Sequence, residues 1–302
     1  MGKVFRCIVF LSGICLLLAG NACSRLSFSG PPKWRAERMV TIGDLNAPVC
    51  ALPCGEQGLF ISNSGTLPQG GRTGDAKGYI GLYALDGMVL KPHWLDNTPA
   101  APICAPRGLA VLNGFLYFSD TTRLMRCPLD RKGPVEEVAL PAKGVNLNDV
   151  ATDGSAVYVS EAGGEGAAPL VYRCEPAGAS RTILAPDGIK GITVVGPTVY
   201  AVSGEQHEIY ELPVNGGGEP KALGLAGHFQ NPTGIVALRD GTLLVTDTAA
   251  GRVCAVAPDR TEVYPVVELK GPTDPGLFES PDLLYVPQTE LNQVSLFRLV
   301  LK

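Results

Sequence analysis

Hydrophobic and polar positions alternate along this chain in short runs, and the runs come in pairs. "PRGLAVLNGFLYFSD" (106–120) reads as two strands around a turn, because apolar residues recur every second position on each side of it. The same pattern returns in "LNDVATDGSAVYVSE" (147–161), "IKGITVVGPTVYAVS" (189–203), "PTGIVALRDGTLLVTD" (232–247) and "DPGLFESPDLLYVPQ" (274–288). A weaker copy is "VCALPCGEQGLFISN" (49–63). The anchors Arg107, Asn148, Lys190, Thr233 and Pro275 stand 41, 42, 43 and 42 residues apart. Cys50 precedes Arg107 by 57, the excess being a Gly-rich insertion at 64–78.

A third strand follows each pair, such as "RLMRCPLD" or "EIYELPVNG", and in most copies a fourth, such as "VEEVALP". Four strands per unit of this length is the pattern of propeller blades, so six copies predict an all-β, six-bladed propeller over 38–302. The last copy runs out of chain after its third strand. "RMVTIGD" (38–44) is a spare strand at the other end, and it is expected to complete the sixth blade and remove an exposed sheet edge.

Composition agrees with strands and turns, with 37 Gly and 25 Pro. The formal charge of −4, without a basic run, argues against nucleic acid as a partner. The N-terminus reads as a targeting segment. "MGKVFR" is basic, and "CIVFLSGICLLLAG" is apolar but short for a membrane span. Gly20 and Ala22 then lead to Cys23. This resembles a bacterial lipoprotein signal, which implies residues 1–22 as signal, a lipid on Cys23, and 23–37 as a tether on the periplasmic side of the envelope. An ordinary secretory signal cut after Ala22 is the alternative. The membrane then enters only through the lipid, and a monomer is expected.

Six cysteines remain beyond Cys23: Cys50, Cys54, Cys104, Cys127, Cys174 and Cys254. They form no CxxC and have no His at ligand spacing, so a zinc site is not expected. Thiols are the expected state. A Cys50–Cys104 bridge near the channel mouth is the alternative that export permits.

The position after each anchor reads Gly108, Asp149, Gly191, Gly234 and Gly276, with Ala51 in the weak copy. Gly suits backbones crowding round a central channel. Asp149 and its partner Asn148 break that rule, and such departures are where function is expected. A turn-capping role for the pair stands beside the functional one. Asp120, Glu161 and Asp247 close the second strand of their blades and read as turn caps. No Ser-His-Asp arrangement can be assembled, and the Gly-rich segments follow no strand–loop–helix pattern.

The repeat, and "NDVATDGSAVYVSE" above all, resembles the superfamily of senescence marker protein (regucalcin) and gluconolactonases, and more distantly paraoxonases. The resemblance implies a divalent metal, usually calcium, held by Asn148 together with a first-blade Glu, an Asn of the next blade and an Asp of the one after. That Asp also serves as the base for lactone hydrolysis. This chain has Val49-Cys50-Ala51, Lys190 and Thr233 at those places; Glu56 lies several residues on, toward the opposite face, and Asn231 and Asp274 are nearby but out of register. Calcium takes six to eight oxygens, carboxylates among them, so these residues make a poor cage and no cofactor is expected from them. Lys190 and Arg107 instead suit neutralising Asp149 or holding an anion. The reading is a propeller that binds a small molecule or a protein at a mouth formed by Asn148, Asp149, Arg107, Lys190 and Thr233. Loops 64–78 and 161–169 would wall that mouth. A metal-dependent lactonase is the alternative.

Overall fold

The computed structural model describes residues 33–65, 77–99, 102–164, 166–178, 180–280 and 282–302. Residues 1–32, with the expected signal and Cys23, lie outside the described residues, as do 66–76 of the first-blade insertion.

Six four-stranded antiparallel sheets make a six-bladed propeller. Blade one is β2 (Pro48–Cys54), β3 (Gly58–Asn63), β4 (Tyr79–Tyr83) and β5 (Val89–Asp96). Blade two is β6 (Pro106–Leu112), β7 (Phe115–Asp120), β8 (Arg123–Pro128) and β9 (Glu136–Val138). Blade three is β10 (Leu147–Thr152), β11 (Val157–Glu161), β12 (Leu170–Cys174) and β13 (Ser180–Leu184). Blade four is β14 (Ile189–Val195), β15 (Thr198–Ser203), β16 (Glu208–Pro213) and β17 (Lys221–Ala222). Blade five is β18 (Pro232–Ala237), β19 (Leu243–Asp247), β20 (Arg252–Val256) and β21 (Val263–Glu268).

Blade six joins the two ends of the chain: β22 (Gly276–Glu279), β23 (Asp282–Gln288) and β24 (Gln293–Leu301) are completed by β1 (Trp34–Ile42). The pairing runs antiparallel from Trp34 opposite Leu301 to Ile42 opposite Val294, with one irregularity at Arg38–Val40. The spare strand therefore closes the ring, as its pattern predicts. It starts at Trp34, inside the stretch expected to be tether, because residues 34–37 keep pairing along β24.

The core is six apolar clusters, each filling a seam between neighbouring blades. Along β11, Val157 and Val159 pack into the seam with blade two, while Tyr158 packs into the seam with blade four. Alternate side chains enter opposite seams, so a blade strand is apolar on both faces and reads as a continuous run.

Candidate functional site

Five of the six inner strands begin with a backbone irregularity. The register slips between Pro48 and Ala51, Pro106 and Leu109, Leu147 and Val150, Ile189 and Ile192, and Pro232 and Gly234. A slip leaves amides without a ladder partner, and hydroxyls of the second strands take them up. Ser62, Ser119, Ser160 and Thr246 accept from the amides of Cys50, Gly108, Asp149 and Gly234 at 2.8–3.1 Å. Three of these hydroxyls then donate across the seam to the next anchor's carbonyl: Ser62 to Arg107, Ser119 to Asn148 and Ser160 to Lys190. Sequence reasoning passed over this ring of hydroxyls. Its signal is the Ser or Thr that precedes the last residue of the second strand in four blades.

The glycine column packs as tightly as expected. A Cβ on Gly108 would stand 2.5 Å from the Cα of Asp149, and one on Gly276 would stand 1.8 Å from the carbonyl oxygen of Ala51. The caps are also as expected. Asp120 accepts from the amides of Cys104 and Ala105, Glu161 from Val145 and Asn146, and Asp247 from Gln230 and Asn231.

Asp149 takes the place of a glycine and reaches across to blade four. One carboxylate oxygen accepts from its neighbour Val150 at 2.6 Å, and the other accepts from the Ile192 amide at 2.7 Å. The side chain is a bracket between two inner strands, and it is buried at 6% exposure. It also faces a second carboxyl, Asp274, within hydrogen-bonding reach. Asp274 is out of register with the anchors by sequence because β22 starts late, at Gly276. Ahead of that strand, Asp274 pairs in parallel with Cys50, its amide donating to the Val49 carbonyl at 3.1 Å. This brings it to the axis opposite Asp149, beside the buried Cys50 thiol. Asp274 keeps a half-buried surface on the channel, with protein packed round the rest.

Burial pushes both carboxyls up from the usual carboxylate range. The charge of Asp274 raises Asp149 further, against the two amides that hold it down. Asp274 reaches about 6, with hydrogen bonds from Cys50 and Asp149 opposing the burial. Two carboxylates side by side cannot both ionise cheaply, so the pair shares a proton. Burial, then Asp274 and Asp149, push the Cys50 thiol well up, so it is a neutral donor and not a thiolate. Cys50 is unbridged.

The other expected residues separate from this pair. Arg107 donates to Asn146 Oδ1 at 3.1 Å and the Leu147 carbonyl at 3.4 Å, and Lys190 donates to Asn231 Oδ1 at 2.7 Å. Each reaches sideways onto the loop that leads into the next blade. Burial lowers both cations, and the carboxylates that oppose this are Asp120 and Glu205, so neither cation neutralises Asp149. Thr233 Oγ1 is engaged with the Asn231 carbonyl and Thr248 Oγ1. Asn148 and Thr233, with Val49 and Thr273, line a cavity of about 60 Å³ at the anchor end of the axis.

Asp149 and Asp274 form the waist of the channel. On the far side, the inner strands open into a cavity of about 580 Å³. Its walls mix apolar side chains with polar groups, Thr152, Thr193 and Ser280 among them, and its rim carries the ion pair Arg239–Glu279.

A metal at the anchor end would have Asn148, Thr233, Thr273, Asp149 and Asp274 as side-chain oxygens. Asp149 and Asp274 share a proton and so bring one negative charge between them, and the Thr233 and Thr273 hydroxyls are engaged elsewhere, so the set falls short of calcium, which takes six to eight oxygens. Among the described residues, no three His, Cys, Asp or Glu side chains converge as a metal cage.

No protein-family model matches this chain, and no curated protein matches it. Solved structures do. A gluconolactonase of Xanthomonas campestris aligns over 90% of this chain and 95% of its own, at 17% identity and a TM-score of 0.69. Virginiamycin B lyase of Staphylococcus aureus aligns over 89% of this chain and 100% of its own, at 16% identity and a TM-score of 0.57. A streptogramin B lyase aligns over 90% and 98%, at 14% identity and a TM-score of 0.59. At these identities the likeness is one of fold: the chain is a six-bladed propeller whose structural neighbours are gluconolactonases and virginiamycin B lyases.

Proposed function

We propose that this protein is an exported propeller, anchored by a lipid on Cys23, that binds a small ligand in its central channel without metal chemistry. The observation that carries this reading is the asymmetry of the channel. The anchor end, where the resemblance places a metal, narrows to about 60 Å³ and its two carboxyls share one proton. The opposite end offers about 580 Å³, within the usual range for small-molecule sites of about 300–1,000 Å³. The ligand therefore enters from the face opposite the anchors. Arg107 and Lys190 support the loops of the anchor face. Calcium titrated into the purified protein is the test: the melting temperature stays unchanged under this reading.

A lactone hydrolase is the second reading, favoured by the acid pair and by the gluconolactonase among the structural neighbours. An ionised Asp274 beside a protonated Asp149 can take a proton from water and return one to a leaving alkoxide. Gluconolactone hydrolysis that disappears in Asp274→Asn, while that variant keeps its fold, would establish it.

A further inference from the structure

The cavity beyond the waist has a definite chemical polarity. Leu52, Val111, Ala151, Val194, Val236 and Leu277 are among its wall residues, all half-buried on the inner strands. Its inner end is Asp149 and Asp274, with the Cys50 thiol beside them. No ion pair among the described residues includes either acid. The cations nearest in the repeat, Arg107 and Lys190, are held by Asn146 and Asn231, and Arg239 is held by Glu279 at the rim. A funnel walled by apolar side chains interspersed with polar groups thus ends on two carboxyls that lack a counter-ion.

We propose that this cavity takes a small organic ammonium, its apolar body against the strand walls and its cationic head on Asp149 and Asp274. The proposal rests on the channel being a ligand site and names the class of ligand. An anion would meet two acids with no cation to compensate it. A neutral apolar molecule would fill the walls and leave the carboxyls unused. An ammonium head brings the missing charge and three donors. Asp149 spends one lone pair of each oxygen on an amide and keeps the others, and Asp274 has Cys50 and Asp149 as its side-chain partners. Charge-assisted bonds of this kind are the stronger ones.

Binding is coupled to the shared proton, since an ammonium favours the ionised pair. The titratable groups that face Asp149 and Asp274 are each other and Cys50, while β6, β14 and β18 present Leu109, Ile192 and Ile235. Affinity therefore rises with pH through the range in which Asp274 loses its proton.

Calorimetric titration of the purified protein with cyclohexylmethylammonium, cyclohexylmethanol and cyclohexanecarboxylate tests this. At about pH 8 the ammonium is expected to bind at least about tenfold tighter than the alcohol, and the carboxylate not at all. At about pH 5 the preference is expected to shrink by about tenfold. Ala151→Phe, which fills one wall, and Leu277→Trp, which fills another, should each abolish binding, so one misfolded variant leaves the other to decide. Equal binding of alcohol and ammonium, or tighter binding of the carboxylate, overturns the cationic class and leaves the channel reading standing. Binding that survives both wall variants places the ligand elsewhere and overturns the proposal. Failure of all three probes also overturns it, and the channel reading then stands or falls on its calcium titration.

Discussion

Asp274 carries a testable pH signature. Its carboxyl is raised in the folded state, so folding favours the protonated form. The associated stability is fully present below the ordinary carboxylate range, near pH 4, and is lost as pH rises through about 6. Asp274→Asn replaces the shared proton with an amide that accepts from Cys50 and donates to Asp149. This variant should match the parent near pH 4 and exceed it by on the order of 2 kcal/mol near pH 8, read by urea unfolding at both. A variant less stable at both pH values would show that the pair does not share a proton. Ser160 makes a second prediction at this scale. Its hydroxyl joins the Asp149 amide to the Lys190 carbonyl, so Ser160→Ala orphans two buried backbone groups. A loss of about 2 kcal/mol in chemical denaturation is expected. The Asn148–Asp149 anomaly was legible in sequence because it broke a column of glycines. Asp274 was not, because the repeat supplies columns only where strands start in register, and its blade starts late. The sideways turn of Arg107 and Lys190 was not legible either, since an anchor's side-chain direction depends on the neighbouring blade's loop.

At the scale of elements, β1 decides whether the ring closes. All but Met39 of its nine residues pair with β24, and Trp34 and Ala36 pack into the seam between blades five and six. Removing residues 33–42 would bare the long edge of β24, and an exposed edge is a template for association. Size-exclusion chromatography and thermal melting of this deletion should show aggregation and a strongly lowered transition. An unchanged monomeric melt would contradict the closure. The seams offer a finer test. Gly108→Ala places a methyl against the backbone of blade three, with the nearest atom, the Val150 nitrogen, 2.3 Å away. About 2 kcal/mol of destabilisation is expected. The blades themselves were readable because each strand feeds two seams and so repeats the same apolar pattern. The start of β1 was misplaced by four residues although Trp34, Arg35, Ala36 and Glu37 alternate apolar and polar, because four residues of an outermost, largely solvent-facing strand are too short a run to separate from a tether.

At the scale of the whole molecule, the fold leaves one channel with two unlike ends. The resemblance to metal-dependent propellers directs attention to the anchor end, while the cavity volume and the free capacity of the acid pair direct it to the other. If Cys23 carries a lipid, Cys23→Ala should move the protein from the membrane fraction to the soluble one without changing its melting temperature. The central claim, that the channel works without metal, is tested most directly by following thermal unfolding of the purified protein against calcium concentration. Calcium binding to the folded state alone would stabilise it by about 2.7 kcal/mol at a hundredfold excess over its dissociation constant. The account predicts no shift at millimolar calcium. A clear rise in melting temperature, abolished by Asn148→Ala and by Asp149→Ala, would contradict it and place a metal centre at the anchor end.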